Sequence, residues 1–78
     1  MAFKIFKLMA AAFKGDDGKD VKGKYVYLIP ANGGSGTTPE RVFLSEDRLA
    51  QMGYKPVEGD TVYVFRNGFG KVMDMLKA

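Results

Sequence analysis

Alternating apolar side chains mark two β-strands in the middle of the chain, over residues 22–30 and 41–45. Successive residues of a strand point to opposite faces, so residues two apart share a face. The aliphatic positions are predicted to fill a core, and they are Val26, Leu28, Val42 and Leu44. The other face then carries three outward rings, those of Tyr25, Tyr27 and Phe43.

The N-terminal segment, residues 3–13, fits two structures. Its apolar residues fit the stripe of an amphipathic helix, and its alanines favour a helix. Such a helix would dock on a partner protein or a membrane surface. The segment also fits a strand that enters a turn at residues 15–18. We prefer the strand, because residues 21–29 need a partner, and the two would form a long hairpin.

The third quarter of the chain has the start and stop signals of a short helix. Ser45 is a good N-cap, and Glu46 and Asp47 follow where the helix dipole favours acids. Gly53 predicts a left-handed stop, so we expect a helix near residues 46–52. Leu49 of this helix is expected to be buried.

The last quarter predicts a hairpin. Residues 61–66 form a strand, Asn67-Gly68 is a preferred two-residue type I′ turn, and residues 69–76 return. We expect Val62 and Val64 to face the core. The turn would pair Arg66 with Phe69, Val64 with Lys71 and Val62 with Met73.

The predicted fold class is therefore all-β, with five antiparallel strands and one short helix between strands 3 and 4. Residues 1–78 form a single domain, since so short a chain holds one core. We expect the strands to close into a small barrel of the OB type, because closure removes exposed strand edges. Residues 30–39 are rich in glycine and predict a flexible loop.

Composition excludes several kinds of chemistry. The chain has no cysteine and no histidine, which rules out disulfides, thiolate metal sites, histidine general bases and most zinc sites. The aspartates near the first turn are better explained by turn chemistry than by a cation site. No apolar run is long enough to span a membrane. We expect a cytoplasmic protein that is not an enzyme and needs no cofactor or metal.

The positive charge is concentrated near the predicted rings. The net charge is +3, and residues 1–24 hold six lysines against three aspartates. In the hairpin interpretation three of these lysines neighbour the rings and are candidates for holding phosphates, and they are Lys7, Lys22 and Lys24.

The order and spacing of these segments resemble the cold-shock domain over roughly residues 22–75. Tyr25 and Tyr27 match the two aromatics of that family's first ribonucleoprotein motif, Lys-Gly-Phe-Gly-Phe-Ile, although Val26 replaces the central glycine. Phe43 matches the aromatic of the second motif, Val-Phe-Val-His, and Ser45 replaces its histidine. The family's Lys-Trp-Phe on the first strand corresponds at best to Lys-Leu-Met at residues 7–9, so two stacking rings are missing. The resemblance implies an OB-type barrel that binds single-stranded nucleic acid.

We therefore expect single-stranded RNA or DNA to bind through Tyr25, Tyr27 and Phe43 together with the three lysines. One alternative is a protein-interaction module, and another is a designed or inert scaffold that binds no nucleic acid. Tyr63 and Phe65 bear on this choice. They either pack under the first hairpin or form a patch that binds a protein partner.

Overall fold

The computed structural model describes residues 2–32 and 38–78. In this part of the chain the elements are β1 (Ala2–Lys14), β2 (Asp20–Pro30), β3 (Glu40–Ser45), α1 (Glu46–Gln51), β4 (Thr61–Arg66) and β5 (Val72–Lys77). The strands form one antiparallel sheet in the order β3-β2-β1-β4-β5. The all-β class, the five strands and the place of the helix are confirmed. Within the described residues β3 does not pair with β5, so the sheet is open and its closure into a barrel stays a prediction.

The N-terminal segment is a strand, and it forms the predicted long hairpin with β2. The pairing runs from Phe3 opposite Pro30 to Lys14 opposite Asp20. At the turn the backbone N–H of Lys19 donates to the Asp17 carboxylate at 3.0 Å, and Gly18 has a φ of 80°. Asp17 therefore serves the turn, as its neighbours Gly15 and Gly18 predicted. The central part of the predicted loop over residues 30–39 lies outside the described residues.

A β-bulge at Phe6 changes the phase of β1. Ile5 pairs with Leu28 and Lys7 pairs with Tyr27, so Phe6 is an extra residue opposite β2. Ile5 is buried, and Leu8, three positions later, also packs against the core. Two core-facing residues three apart are what one inserted residue produces in a strand of period two.

All five strands contribute to one hydrophobic core. The predicted core residues Val26, Leu28, Val42, Leu44 and Val62 are buried, and Leu49 and Val64 are partly buried against them. Four further residues of the hydrophobic core were not predicted, and they are Ile5, Met52, Val72 and Met75. Because a single cluster collects residues from both ends of the strand order, the open sheet curls around its own core.

Helix α1 begins as predicted but ends differently. The Ser45 Oγ accepts a hydrogen bond from the Arg48 backbone N–H at 3.2 Å, which confirms the N-cap. The helix stops where Met52 adopts an extended backbone (φ −75°, ψ 137°) and enters the core. The left-handed stop at Gly53 is wrong, because Gly53 is not among the positive-φ glycines. Burial of Met52, rather than a glycine cap, terminates the helix.

The β4–β5 hairpin has a longer turn than predicted. Arg66 pairs with Val72, Val64 with Met75 and Val62 with Lys77, so the predicted two-residue turn and its register are wrong. The Asn67 side chain accepts hydrogen bonds from the N–H groups of Phe69 and Lys71, at 2.9 and 3.0 Å. The predicted register would have placed Lys71 opposite the core-facing Val64. The observed register places the buried Met75 there instead.

The segment between α1 and β4 is fastened to β1 by backbone hydrogen bonds. Ile5 N–H donates to the Asp60 carbonyl, and Gly59 N–H donates to the Ile5 carbonyl, both at 2.8 Å. The Tyr54 hydroxyl donates to the Asp60 carboxylate at 2.7 Å. Burial and this hydrogen bond raise the pKa of Tyr54 to about 12. The segment thereby joins the first three strands to the last hairpin.

Candidate nucleic-acid interface

Strand pairing assembles one solvent-facing surface from β1, β2 and β3. Tyr25 lies between Met9 and Phe43, and Tyr27 lies between Lys7 and Arg41. Phe13 follows on the same face of β1, four residues after Met9. We call this surface the aromatic face, and its residues are Lys7, Met9, Phe13, Tyr25, Tyr27, Arg41 and Phe43.

Three rings of the aromatic face form a row in which Phe43 contacts both of the others. The centroids of Tyr25 and Phe43 are 5.4 Å apart with an interplanar angle of 62°. Phe13 continues the row, with its centroid 5.3 Å from that of Phe43 and an angle of 57°. Such tilted arrangements are the favourable ones for aromatic pairs. Each ring in the row is therefore held in place by contact with a neighbouring ring, and Phe13 still exposes 45% of its area.

Gly23 sets the position of the central ring. It pairs with Ser45 on β3 and is buried. A Cβ added to Gly23 would lie 2.8 Å from Cζ of Phe43 and would collide with the Leu44 carbonyl oxygen. Only glycine leaves room here for the Phe43 ring to lie across β2.

Two cationic side chains flank the rings. The Arg41 guanidinium carbon lies 4.7 Å from the centroid of the Tyr25 ring, within cation–π distance. Lys7 is exposed and directly opposite Tyr27. None of the residues that form the aromatic face carries a carboxylate. A surface with cations beside exposed rings suits a polyanion with planar groups.

The other two predicted lysines lie elsewhere. Lys22 and Lys24 are exposed, but strand alternation places them on the face of β2 opposite Tyr25 and Tyr27. There they line a shallow pocket between the β1–β2 hairpin and α1, together with Ala10, Ala12, Glu46 and Leu49. The structure thus brings Tyr25, Tyr27, Phe43 and Lys7 together and separates Lys22 and Lys24 from them.

Sequence reasoning missed three residues of the aromatic face: Met9, Phe13 and Arg41. Arg41 lies two residues before Phe43 on the same strand, so period two already placed it beside the rings. Met9 and Phe13 lie between the turn and the bulge at Phe6, so the bulge does not alter their register with β2. A hairpin counted back from the turn, with Lys14 opposite Asp20, predicts both of them correctly.

Tyr63 and Phe65 form a separate surface on the last hairpin. Tyr63 pairs with Leu76, and Phe65 pairs with Asp74. The side chains of Tyr63, Phe65 and Leu76 are 45%, 50% and 57% exposed. About half of each of the two rings is therefore open to solvent. We call this surface the second face, and its residues are Tyr63, Phe65, Asp74 and Leu76.

Searches for related proteins do not decide between these surfaces. Comparison with protein-family models, curated proteins and solved structures finds no match to the chain. The resemblance to the cold-shock domain therefore stays a prediction. Within residues 2–32 and 38–78, no group of three potential metal ligands comes together. The same residues contain no helix long and apolar enough to cross a membrane.

Proposed function

We propose that this protein binds single-stranded nucleic acid on the aromatic face and has no catalytic activity. The observation that carries the proposal is the row of contacting rings on an outward sheet surface, flanked by Arg41 and Lys7. Bases stack on such rings with about 1–3 kcal/mol each, largely without regard to sequence. Single-stranded RNA and single-stranded DNA both present the required bases and phosphates.

The rings differ in how they can receive a base. Phe13 and Tyr27 lie at the two ends of the aromatic face, and neither has a cation over its ring in the described contacts. The Tyr25 ring is covered on one side by Arg41. A guanidinium is planar and stacks on bases as well as on rings, so Arg41 extends the stacking surface. Phe43 supports its neighbours on both sides.

Phosphates are assigned to Lys7 and Arg41. Both lie on the same face as the rings, where each pairs with Tyr27 from a neighbouring strand. Each neutralised phosphate releases counterions and adds to the dependence of affinity on salt. Lys22 and Lys24 carry the same charge on the opposite face, so they provide a comparison within the chain.

Fluorescence anisotropy with a labelled pyrimidine-rich single strand, at two salt concentrations, tests the proposal. We expect wild-type protein to bind more weakly as salt rises. Tyr27→Ala should lose about 1–3 kcal/mol of binding, because a stacking surface disappears. Tyr63→Ala is the matched control on the second face and should bind like wild type. Absence of any anisotropy change at low salt with micromolar protein would eliminate the proposal.

A second pair of variants tests the placement of the phosphates. Lys7→Ala should reduce the salt slope by about one charge. Lys24→Ala removes the same charge from the opposite face and should leave the slope unchanged. An equal change in the salt slope of both variants would place Lys24 in the interface and show that the nucleic acid wraps around the β1–β2 hairpin. Circular dichroism of every variant establishes that folding is retained.

The alternative function is protein recognition by the second face. Its three exposed apolar side chains favour this role, because neighbouring exposed apolar residues mark interaction sites. The presence of Asp74 among them disfavours a nucleic acid there. If wild type fails to bind a single strand, Tyr63 and Phe65 are the residues to substitute next. A protein with neither activity would be an inert scaffold.

A further inference from the structure

One edge of β1 has no strand beside it over the outer part of the long hairpin. β1 pairs with β2 as far as Lys14 but with β4 only over residues 2–4. The Asp60 and Gly59 backbones extend the second pairing to Ile5, and the Glu58 carboxylate accepts from the Leu8 N–H at 3.3 Å. Among the described residues, no strand pairs with this edge from Met9 to Lys14.

The hydrogen bond to Glu58 shows which backbone groups face this open edge. The Leu8 N–H points away from β2, and backbone groups alternate in direction along a strand. The N–H and C=O groups of Ala10, Ala12 and Lys14 therefore point the same way. An edge of this kind is a template for another strand.

We propose that a second copy of this chain pairs with the open edge, antiparallel, about a two-fold axis at Ala11. In this register Ala10 of each copy lies opposite Ala12 of the other. Met9 lies opposite Phe13, and the backbone pairing stops before Leu8, because the Leu8 N–H already donates to Glu58. A two-fold interface of this type is self-complementary, because each residue pair occurs twice.

The side chains of the edge fit this occupant. The alanines present no bulk at the axis. Met9 and Phe13 are 42% and 45% exposed in the single chain, and each would cover the other, as a thioether and a ring pack favourably. Lys14 of the second copy would lie beside the Glu58 carboxylate, which the Leu8 N–H holds at this edge by a hydrogen bond. Sliding the register by two residues toward the turn moves Lys14 away from Glu58 and leaves Met9 opposite Gly15.

The pairing would join two hairpins into a continuous four-stranded sheet. Because the two-fold axis is perpendicular to that sheet, both aromatic faces lie on the same side. The pairing uses backbone groups at the edge and does not require nucleic acid.

Cysteine cross-linking tests the register directly, because the natural chain contains no cysteine. In the proposed register the two Ala11 residues form a non-hydrogen-bonded pair, whose Cα atoms are about 4.5 Å apart, within disulfide range. Ala11→Cys should form disulfide dimers at least about tenfold faster than Phe69→Cys, the control at the most exposed large apolar side chain. Equal rates for the two variants would overturn the proposal.

Sedimentation equilibrium tests the strength of the pairing without a cross-link. Wild type should show a reversible monomer–dimer equilibrium. Ala12→Pro removes an N–H that faces the open edge and does not serve β2. Because the substitution is present in both copies, it removes two hydrogen bonds per dimer. The dissociation constant of the dimer should therefore rise about tenfold or more. Ala12→Ser keeps the N–H and should dimerise like wild type.

The other outcomes of these measurements also decide. A wild type that stays monomeric up to about millimolar concentration would leave the edge to a different extended chain or to water, and would overturn the proposal. If Ala12→Pro proves unfolded by circular dichroism, the cysteine pair decides alone. Lys14→Glu should weaken the dimer and Lys14→Glu with Glu58→Lys should restore it. Glu58→Lys alone is the control, because it also removes the acceptor of the Leu8 N–H; a double variant that dimerises no better than either single variant would overturn the register.

Discussion

The aromatic face and the second face use the same kinds of residue at the same strand spacing, but their surroundings differ. On the aromatic face, rings contact one another and lie beside Arg41 and Lys7. On the second face, Tyr63 and Phe65 lie beside Leu76 and Asp74. Exposed aromatics on a sheet are therefore not enough to define a ligand. We propose that the cations beside the rings make the aromatic face the polyanion site and leave the second face as a protein-binding patch.

The two faces also differ in what holds them in place. The aromatic face spans three strands, and Gly23 fixes the height of its central ring. The second face spans one hairpin whose turn is organised by the Asn67 side chain. Both rest on the same core. Variants that act on the core, on one face or on the connection between them should consequently separate their contributions.

The largest effect is expected from the shared core. Leu44→Ala should reduce the free energy of unfolding by about 2–5 kcal/mol, because it leaves a cavity under β3. Urea unfolding followed by circular dichroism measures this loss. In a domain of this size such a loss is a large part of the total stability. Both faces should be lost together, and survival of either one would show that the core is not shared.

A smaller effect, centred on the aromatic face and on the backbone of β3 beneath it, is expected from Gly23→Ala. The new methyl group would press on the Leu44 carbonyl oxygen and the Phe43 ring, and overpacking of this kind costs about 1–3 kcal/mol. Nucleic-acid binding should fall as well, because Phe43 must move. Gly53→Ala is the matched control, since nothing lies within 4 Å of the added Cβ. Equal melting temperatures for the two variants would contradict the role of Gly23.

Asn67→Ala acts on the second face alone. It removes the acceptor of two backbone N–H groups in an exposed turn, so the expected loss is about 1–2 kcal/mol. Binding to the aromatic face should not change. Thermal unfolding and anisotropy on the same sample measure the two results. A variant as stable as wild type would mean that the turn residues hold the hairpin without this side chain.

The same comparison explains how far the sequence predicted the structure. In β2 and β3, period two is unbroken, so the sequence alone predicts both the buried aliphatics and the outward rings. In β1, the bulge at Phe6 shifts the alternation of core-facing and outward side chains, and no residue before it indicates the insertion. In the last hairpin, Asn67-Gly68 indicated a tight turn, but burial of Val72 and Met75 selected a longer one. Local turn preference was outweighed by core packing.

The helix and the site show the same limit. Ser45 worked as a cap because its bond to the Arg48 N–H is local. Gly53 did not act as a stop, since the core draws in Met52 and ends the helix by extension. Lys22 and Lys24 were grouped with the rings by closeness in sequence, whereas alternation along β2 separates them. Contacts between strands distant in sequence, such as that of Phe13 with Phe43, required the register of the whole hairpin.

The smallest effect is expected at the segment that connects the two faces. Tyr54 has a folded-state pKa of about 12, raised from its ordinary value of 10 by burial and by its hydrogen bond to Asp60. The folded chain therefore holds the phenolic proton more tightly than the unfolded chain does. The resulting stability is fully present below pH 10 and is lost as the pH rises through 12.

Tyr54→Phe should lose about 1 kcal/mol at neutral pH and should lack this part of the alkaline destabilisation. The measurement is the difference in melting temperature between wild type and variant at pH values from 8 to 12, because lysines and other tyrosines titrate in both. A difference that stays constant across that range would show that Tyr54 does not couple the two halves of the sheet through its proton.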